Sequence, residues 1–230
     1  MRLKLIIFIL SIFTFKISNS QINNNMNDSI NPLLCDPVEG ICEIPSNTNK
    51  LDSNEIIKKN KKAIRLVYFT DPICSSCWGI EPQLKKLKLE YGDDIEIVYY
   101  MGGLLPDWSY NSGGISKPSD VAHHWDEVSA YYKMPIDGDV WLEDPLHSSY
   151  PPSIAFKAAQ MQDETKAILF LRLLREMVFL KKMNITKWEH ISKAANDAGL
   201  DTNQLKKDYE GPAIEKFNED LKYASSLGVR

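Results

Sequence analysis

The hydrophobic pattern along the chain changes period several times, and each change predicts a different kind of element. Leu5 to Phe15 (LIIFILSIFTF) is apolar apart from one Ser and one Thr. Gln21 to Lys62 has no sustained apolar period and is rich in Asn, Ser, Lys and Asp, as an extended leader would be. Ile64, Leu66, Val67, Tyr68 and Phe69 then form a β-prone run ended by Asp71-Pro72, which predicts a strand covered on both faces. From Cys74 to Gly92, Trp78, Leu84, Leu87 and Tyr91 recur at helical spacing, with Pro82 inside as a kink. Asp94 to Met101 predicts a second strand, stopped by Gly102-Gly103. Strand, helix and strand this close together predict a βαβ unit with parallel strands.

From Lys117 onward the period is helical. Helices are predicted over 120–132, over 153–162 after Pro151-Pro152, over 201–209 and over 213–226. The segment from Thr165 to Lys182 is apolar enough to be a buried core helix, with Arg172, Arg175, Lys181 and Lys182 forming its solvated side. Thr186 to Ala198 is amphipathic, begins at a Thr suited to an N-cap and stops at Gly199. No internal repeat is present.

Composition narrows the class. The 230 residues carry 27 Lys+Arg against 31 Asp+Glu, a net charge of -4 that offers no electrostatic reason to bind nucleic acid. With 25% charged residues and five tryptophans the chain is neither disordered nor fibrous, and its length suits one domain with an insertion. Arg2 and Lys4 precede the apolar stretch, and small Ser18 and Ser20 follow it. At about 1.5 Å per helical residue the stretch falls short of a bilayer's ~30 Å core, so residues 1–20 read as a cleavable signal peptide. Cleavage after Ser20 would remove Arg2, Lys4 and Lys16 and take the net charge to -7. The expectation is an exported protein, periplasmic or otherwise extracytoplasmic or secreted, with no stable membrane insertion after signal cleavage, in a compartment where disulfides persist.

Four cysteines fall in two pairs. Cys74-Ser75-Ser76-Cys77 follows a strand and opens a helix. Unpaired backbone N–H groups at a helix N-terminus favour a thiolate, the reactive form, on Cys74, and Cys77 lies one turn on, within reach of a mixed disulfide. Two other readings compete: core cysteines by chance, and a zinc site using C-x6-C with C-x2-C, against which no His joins the pairs. Cys35 and Cys42 flank Asp36-Pro37-Val38-Glu39-Gly40, which has turn chemistry. They form a second disulfide stapling that turn, or a second redox pair relaying electrons to Cys74 and Cys77. Asp71 either ends the strand with Pro72 or aids proton transfer to the inner thiol. His123, His124, His147 and His190 read as surface or satisfied histidines, and Trp108, Trp125 and Trp141 as core before groove. No cofactor and no metal ligand set is expected.

The segment YFTDPICSSCWGIEPQLKKL resembles the active-site segment of the thioredoxin superfamily, and the run HSSYPPSIAFKAAQ with the long helical stretch resembles its DsbA-like branch. The resemblance covers Ala63 to Arg230. It implies an α/β thioredoxin-like fold with an all-helical domain inserted after the second strand. It implies thiol–disulfide exchange with Cys74 attacking and Cys77 resolving, acting on cysteine-containing protein substrates and a redox partner protein. The expected organisation is a signal peptide over 1–20, a leader with the Cys35/Cys42 turn over 21–62, the first half of the core over 63–104 and the helical insertion over 105–223. Residues 224–230 resemble the segment before the cis-proline of the third strand, so the C-terminal strands of the core are expected to be missing from this chain. The function expected is that of an exported thiol–disulfide oxidoreductase. The alternative is a DsbA-like protein-binding adaptor without redox turnover.

Overall fold

The computed structural model describes residues 64–92, 94–109 and 114–229. Two parallel strands, β1 (Ile64–Thr70) and β2 (Ile95–Met101), pair with Ile64 opposite Ile95 and Thr70 opposite Met101. Between them run α1 (Ser75–Gly79) and α2 (Glu81–Tyr91), the kind of crossover that two parallel neighbours require. The predicted kink is a full break at Ile80, which caps α1 and starts α2. Pro82 stands in the first turn of α2, where its missing N–H costs nothing.

Among the described residues, seven helices follow β2: α3 (Pro118–Tyr132), α4 (Val140–Glu143), α5 (Tyr150–Gln162), α6 (Glu164–Leu180), α7 (Trp188–Asp197), α8 (Thr202–Tyr209) and α9 (Pro212–Ser226). All but the four-residue α4 were expected, with ends displaced by a few residues. The N-cap of α7 is Lys187 rather than Thr186, because Asn184 holds Thr186 in a tight turn, taking both its N–H (3.0 Å) and its hydroxyl (2.6 Å) on Oδ1.

The core centres on α5 and α6. Phe156, Phe170, Leu171, Leu174 and Phe179 are buried there, with Trp78, Trp125 and Trp141 from the neighbouring elements. Each such side chain contributes about 2 kcal/mol by leaving water. Trp125 packs edge-on to Trp141 at 5.3 Å and against Phe179 at 4.5 Å, and the half-buried Trp108 meets Trp141 at 6.0 Å. The three tryptophans are therefore core.

Two expectations about burial need correction. The strand β1 is not covered on both faces: Ile64 is 55% and Val67 37% exposed. Its C-terminal half is sheltered, with Tyr68 beside Tyr99, which packs on Phe156 of α5, and Phe69 beside Tyr100 and Tyr223 of α9. In its N-terminal half only Leu66 is half-buried, while Ile64, Arg65 and Val67 are exposed. Arg175 is not on a solvated face; it is 3% exposed. It shares a stripe with Leu171, Leu174 and Val178, so the rotation that buries those residues buries it too.

A buried ion pair ties α9 to this arrangement. Lys157 Nζ of α5 lies 2.9 Å from Asp220 of α9, whose carboxylate also accepts the Met101 N–H at 2.8 Å. Burial pushes the Asp220 carboxyl up, opposed by the Met101 N–H and by Lys157.

Candidate functional site

Cys74 and Cys77 meet at the join of β1 and α1. The turn after β1 is made by Asp71, whose main-chain carbonyl accepts the Cys74 N–H at 3.2 Å. Cys74 has extended backbone geometry and caps α1, its Sγ accepting the Cys77 N–H at 3.2 Å. The two are joined as a disulfide with their Cα atoms 5.2 Å apart. Both are half-buried and Ser76 between them is exposed.

Beneath the disulfide the chain is locked. Trp78, 1% exposed, donates its indole N–H to Pro135 O at 3.0 Å and stacks on Phe179 at 5.6 Å. Arg172 lies 4.5 Å over its ring, held by Glu81 and Glu176. Asp71, 2% exposed, does more than end a strand. Its carboxylate accepts the Ile73 N–H (3.0 Å), the Leu104 N–H (2.9 Å) and the Ser149 hydroxyl (2.7 Å). It therefore joins the cysteine turn to the segment after β2 and to the start of α5. Burial pushes its carboxyl up to about 6, against those three donors and the Arg175 cation. Arg175 donates to Thr70 Oγ1 at 2.5 Å and to the Asp71 carbonyl at 3.3 Å, and pairs with Glu81 at 3.7 Å.

The structure thus brings together Cys74, Cys77 and Asp71 and adds Ser149, Arg175 and Thr70, which sequence reasoning missed. Arg175 was readable from its place on the apolar stripe of α6. Ser149 carried no signal of its own beyond lying in a familiar run. Cys35 and Cys42 lie outside the described residues, as do residues 1–20. His123 and His124 both face Glu127 at the surface, His147 is exposed, and the His190 ring contacts the Asn184 carbonyl at 2.8 Å; none approaches the cysteines through a contact described here.

Comparison with known proteins settles the family. The model of a thioredoxin family matches residues 68–230. The chain belongs to that family. It is a DsbA-like member of the thioredoxin superfamily, in which the helical segment after β2 is the insertion into a thioredoxin-like fold. Among solved structures, the cytosolic disulfide reductase DsbM of Pseudomonas aeruginosa matches with a TM-score of 0.59 at 20% identity, over 72% of this chain and 80% of that one. A proposed protein disulfide isomerase of Nitrosomonas europaea matches with a TM-score of 0.63 at 17% identity, again over 72% and 80%. At such identities these likenesses concern the fold.

Nearer relatives in sequence carry a different activity. The ClpXP adapter protein SpxH of Halalkalibacterium halodurans is 40% identical over 185 residues, 79% of this chain and 59% of that protein. The ClpXP adapter protein SpxH of Bacillus subtilis is 33% identical over 172 residues, 74% of this chain and 56% of that protein. The chain thus spans just under three fifths of the length of the curated relatives it matches. These relatives overturn the expectation of an exported, periplasmic or secreted oxidoreductase with a signal peptide. An adapter must meet its protease, and ClpXP is an intracellular one. The charge and hydropathy of residues 1–20 form a local pattern that says nothing of the partner.

Proposed function

We propose that this protein is an adapter that delivers client proteins to the ClpXP protease from within the cell. The observation that carries this reading is the 40% identity over 79% of the chain to a protein of that activity. The DsbA-like architecture supports it, since a helical domain beside a small sheet offers broad surfaces for a protein partner. The test is a comparison of protein abundance and half-life in cells lacking this gene, cells lacking ClpP, and cells complemented with the chain in its natural full-length context. A shared set of proteins should be stabilised in both deletions and return to normal on complementation. Two non-overlapping sets would refute the reading.

A second activity, thiol–disulfide exchange inside the cell, is favoured by the half-exposed Cys74–Cys77 pair at the start of α1. In this reading Cys74 forms the mixed disulfide, Cys77 resolves it, and the partners are proteins with accessible cysteines. Cys77→Ser should then accumulate covalent complexes through Cys74 that disappear on reduction. Absence of such complexes from Cys77→Ser, at a level no higher than in Cys74→Ser, would dismiss it.

A further inference from the structure

The local sequence around the cysteine pair carries no positive charge. Both residues between Cys74 and Cys77 are serines, and the helix that Cys74 caps is only five residues long. A helix that short has a weak dipole, so its N-terminal N–H groups do little alone to favour a thiolate. The structure brings a cation to the same place from α6.

The Asp71 main-chain carbonyl accepts two donors. One is the Cys74 N–H at 3.2 Å and the other is the Arg175 guanidinium at 3.3 Å. Arg175 therefore stands directly behind the cysteine turn, two hydrogen-bond lengths from the Cys74 main chain. It is 3% exposed, so solvent screens its charge poorly. Its neighbours cancel that charge only in part. Glu81 of α2 lies 3.7 Å away and is also held at 2.8 Å by Arg172, the next cation on α6. The buried Arg175 Nε has no hydrogen-bond partner among the described residues. Tyr99 of β2 also feels the cation, and the Asp71 carboxylate, which has three donors of its own, opposes it when ionised.

We propose that Arg175 is a positioning residue of the Cys74–Cys77 pair, a buried cation that raises the thiolate content of Cys74 in the reduced protein. Thiolate is the form that reacts. The Cys74 thiol gives its proton to water, and the resulting thiolate attacks one sulfur of a partner's disulfide. A Cys74–sulfur bond forms and the partner's S–S bond breaks. The partner's other sulfur leaves with the electron pair as a thiolate, so the mixed disulfide forms with no outside oxidant or reductant. Arg175 touches none of the reacting atoms and acts through its charge alone.

This inference deepens the thiol–disulfide exchange reading and rests on it for its purpose. Its measurement needs no partner protein, so it can hold where no mixed disulfide forms in cells, and it can fail where they do form. The experiment is alkylation of the reduced protein by iodoacetamide from pH 5 to pH 10, in a Cys77→Ser background, read by mass spectrometry on the peptide carrying Cys74. Arg175→Leu should move the midpoint of Cys74 alkylation up by about one pH unit. Arg175→Lys keeps the charge and should stay near the starting midpoint. Glu81→Gln removes a carboxylate that offsets the cation and should move the midpoint down. Loosening of the structure does not produce opposite shifts from the two ends of one ion pair. An Arg175→Leu midpoint that does not rise, or an Arg175→Lys midpoint that rises as far, overturns the proposal. Should Arg175→Leu not fold, Glu81→Gln decides, and a midpoint at or above the starting value overturns it.

Discussion

Asp71 is the residue where burial and charge conflict most directly. Three donors converge on a carboxylate that is 2% exposed, yet its loss of hydration outweighs them and its carboxyl rises to about 6. An unfolded Asp titrates near 3.9, so the folded state binds the proton more tightly. The stability this contributes is fully present below about pH 4 and is lost as the pH rises through about 6. Asp71→Asn cannot titrate. Wild type should therefore lose about 2 to 3 kcal/mol relative to that variant between pH 4 and pH 7, read by urea unfolding at each pH. A difference that stays flat across the range contradicts this. Asp71 was legible in the sequence as a strand end beside the cysteines. Its hydrogen bond to Ser149 was not, because the two lie 78 residues apart.

Among the elements, α6 decides most about how the cysteine turn is supported. It sends Phe179 against Trp78, Arg172 over the same ring, and Arg175 under Thr70 and Asp71. Replacing Arg175 by Leu keeps the apolar stripe but leaves the buried Asp71 without its neighbouring cation and Glu81 with Arg172 alone. Unpairing charges at a site buried on one side costs about 3 kcal/mol, which should appear as a lower urea midpoint. Arg175 also holds the Asp71 carboxyl down, so in Arg175→Leu the Asp71 transition should move to higher pH. The helical period of α6 was plain from Ala167, Leu171, Leu174 and Val178. The charge of Arg175 points to solvent, but its position in that period puts it on the buried face.

For the molecule as a whole, the two proposed activities make different demands on the cysteines. An adapter recognises a folded surface, while disulfide exchange needs two sulfurs. The protein with both Cys74→Ser and Cys77→Ser should therefore restore turnover of the ClpXP-dependent set in cells lacking the gene, and should form no mixed disulfides. Failure of this variant to restore turnover, while it remains folded by circular dichroism, would make the cysteines part of delivery. The half-open sheet bears on the same question. Ile64 and Val67 leave exposed apolar surface on β1, while the helical part is closed around Phe156, Phe170 and Phe179.

The sequence by itself determined what depends on near neighbours. Strand, CxxC and helix follow one another because β-prone residues, a turn at Asp71-Pro72 and helical spacing act within a few positions. The periods of α5 to α9 are local in the same way, and so is the thioredoxin resemblance carried by the cysteine segment. The tertiary structure alone decided the contacts between distant segments: Arg175 with Thr70 across 105 residues, Ser149 with Asp71, and the Tyr132 ring against the backbone at Gly79. No local pattern encodes these. Each depends on how far a helix is rotated and how closely it approaches when the shared core is packed, and that is fixed by the whole set of buried side chains at once.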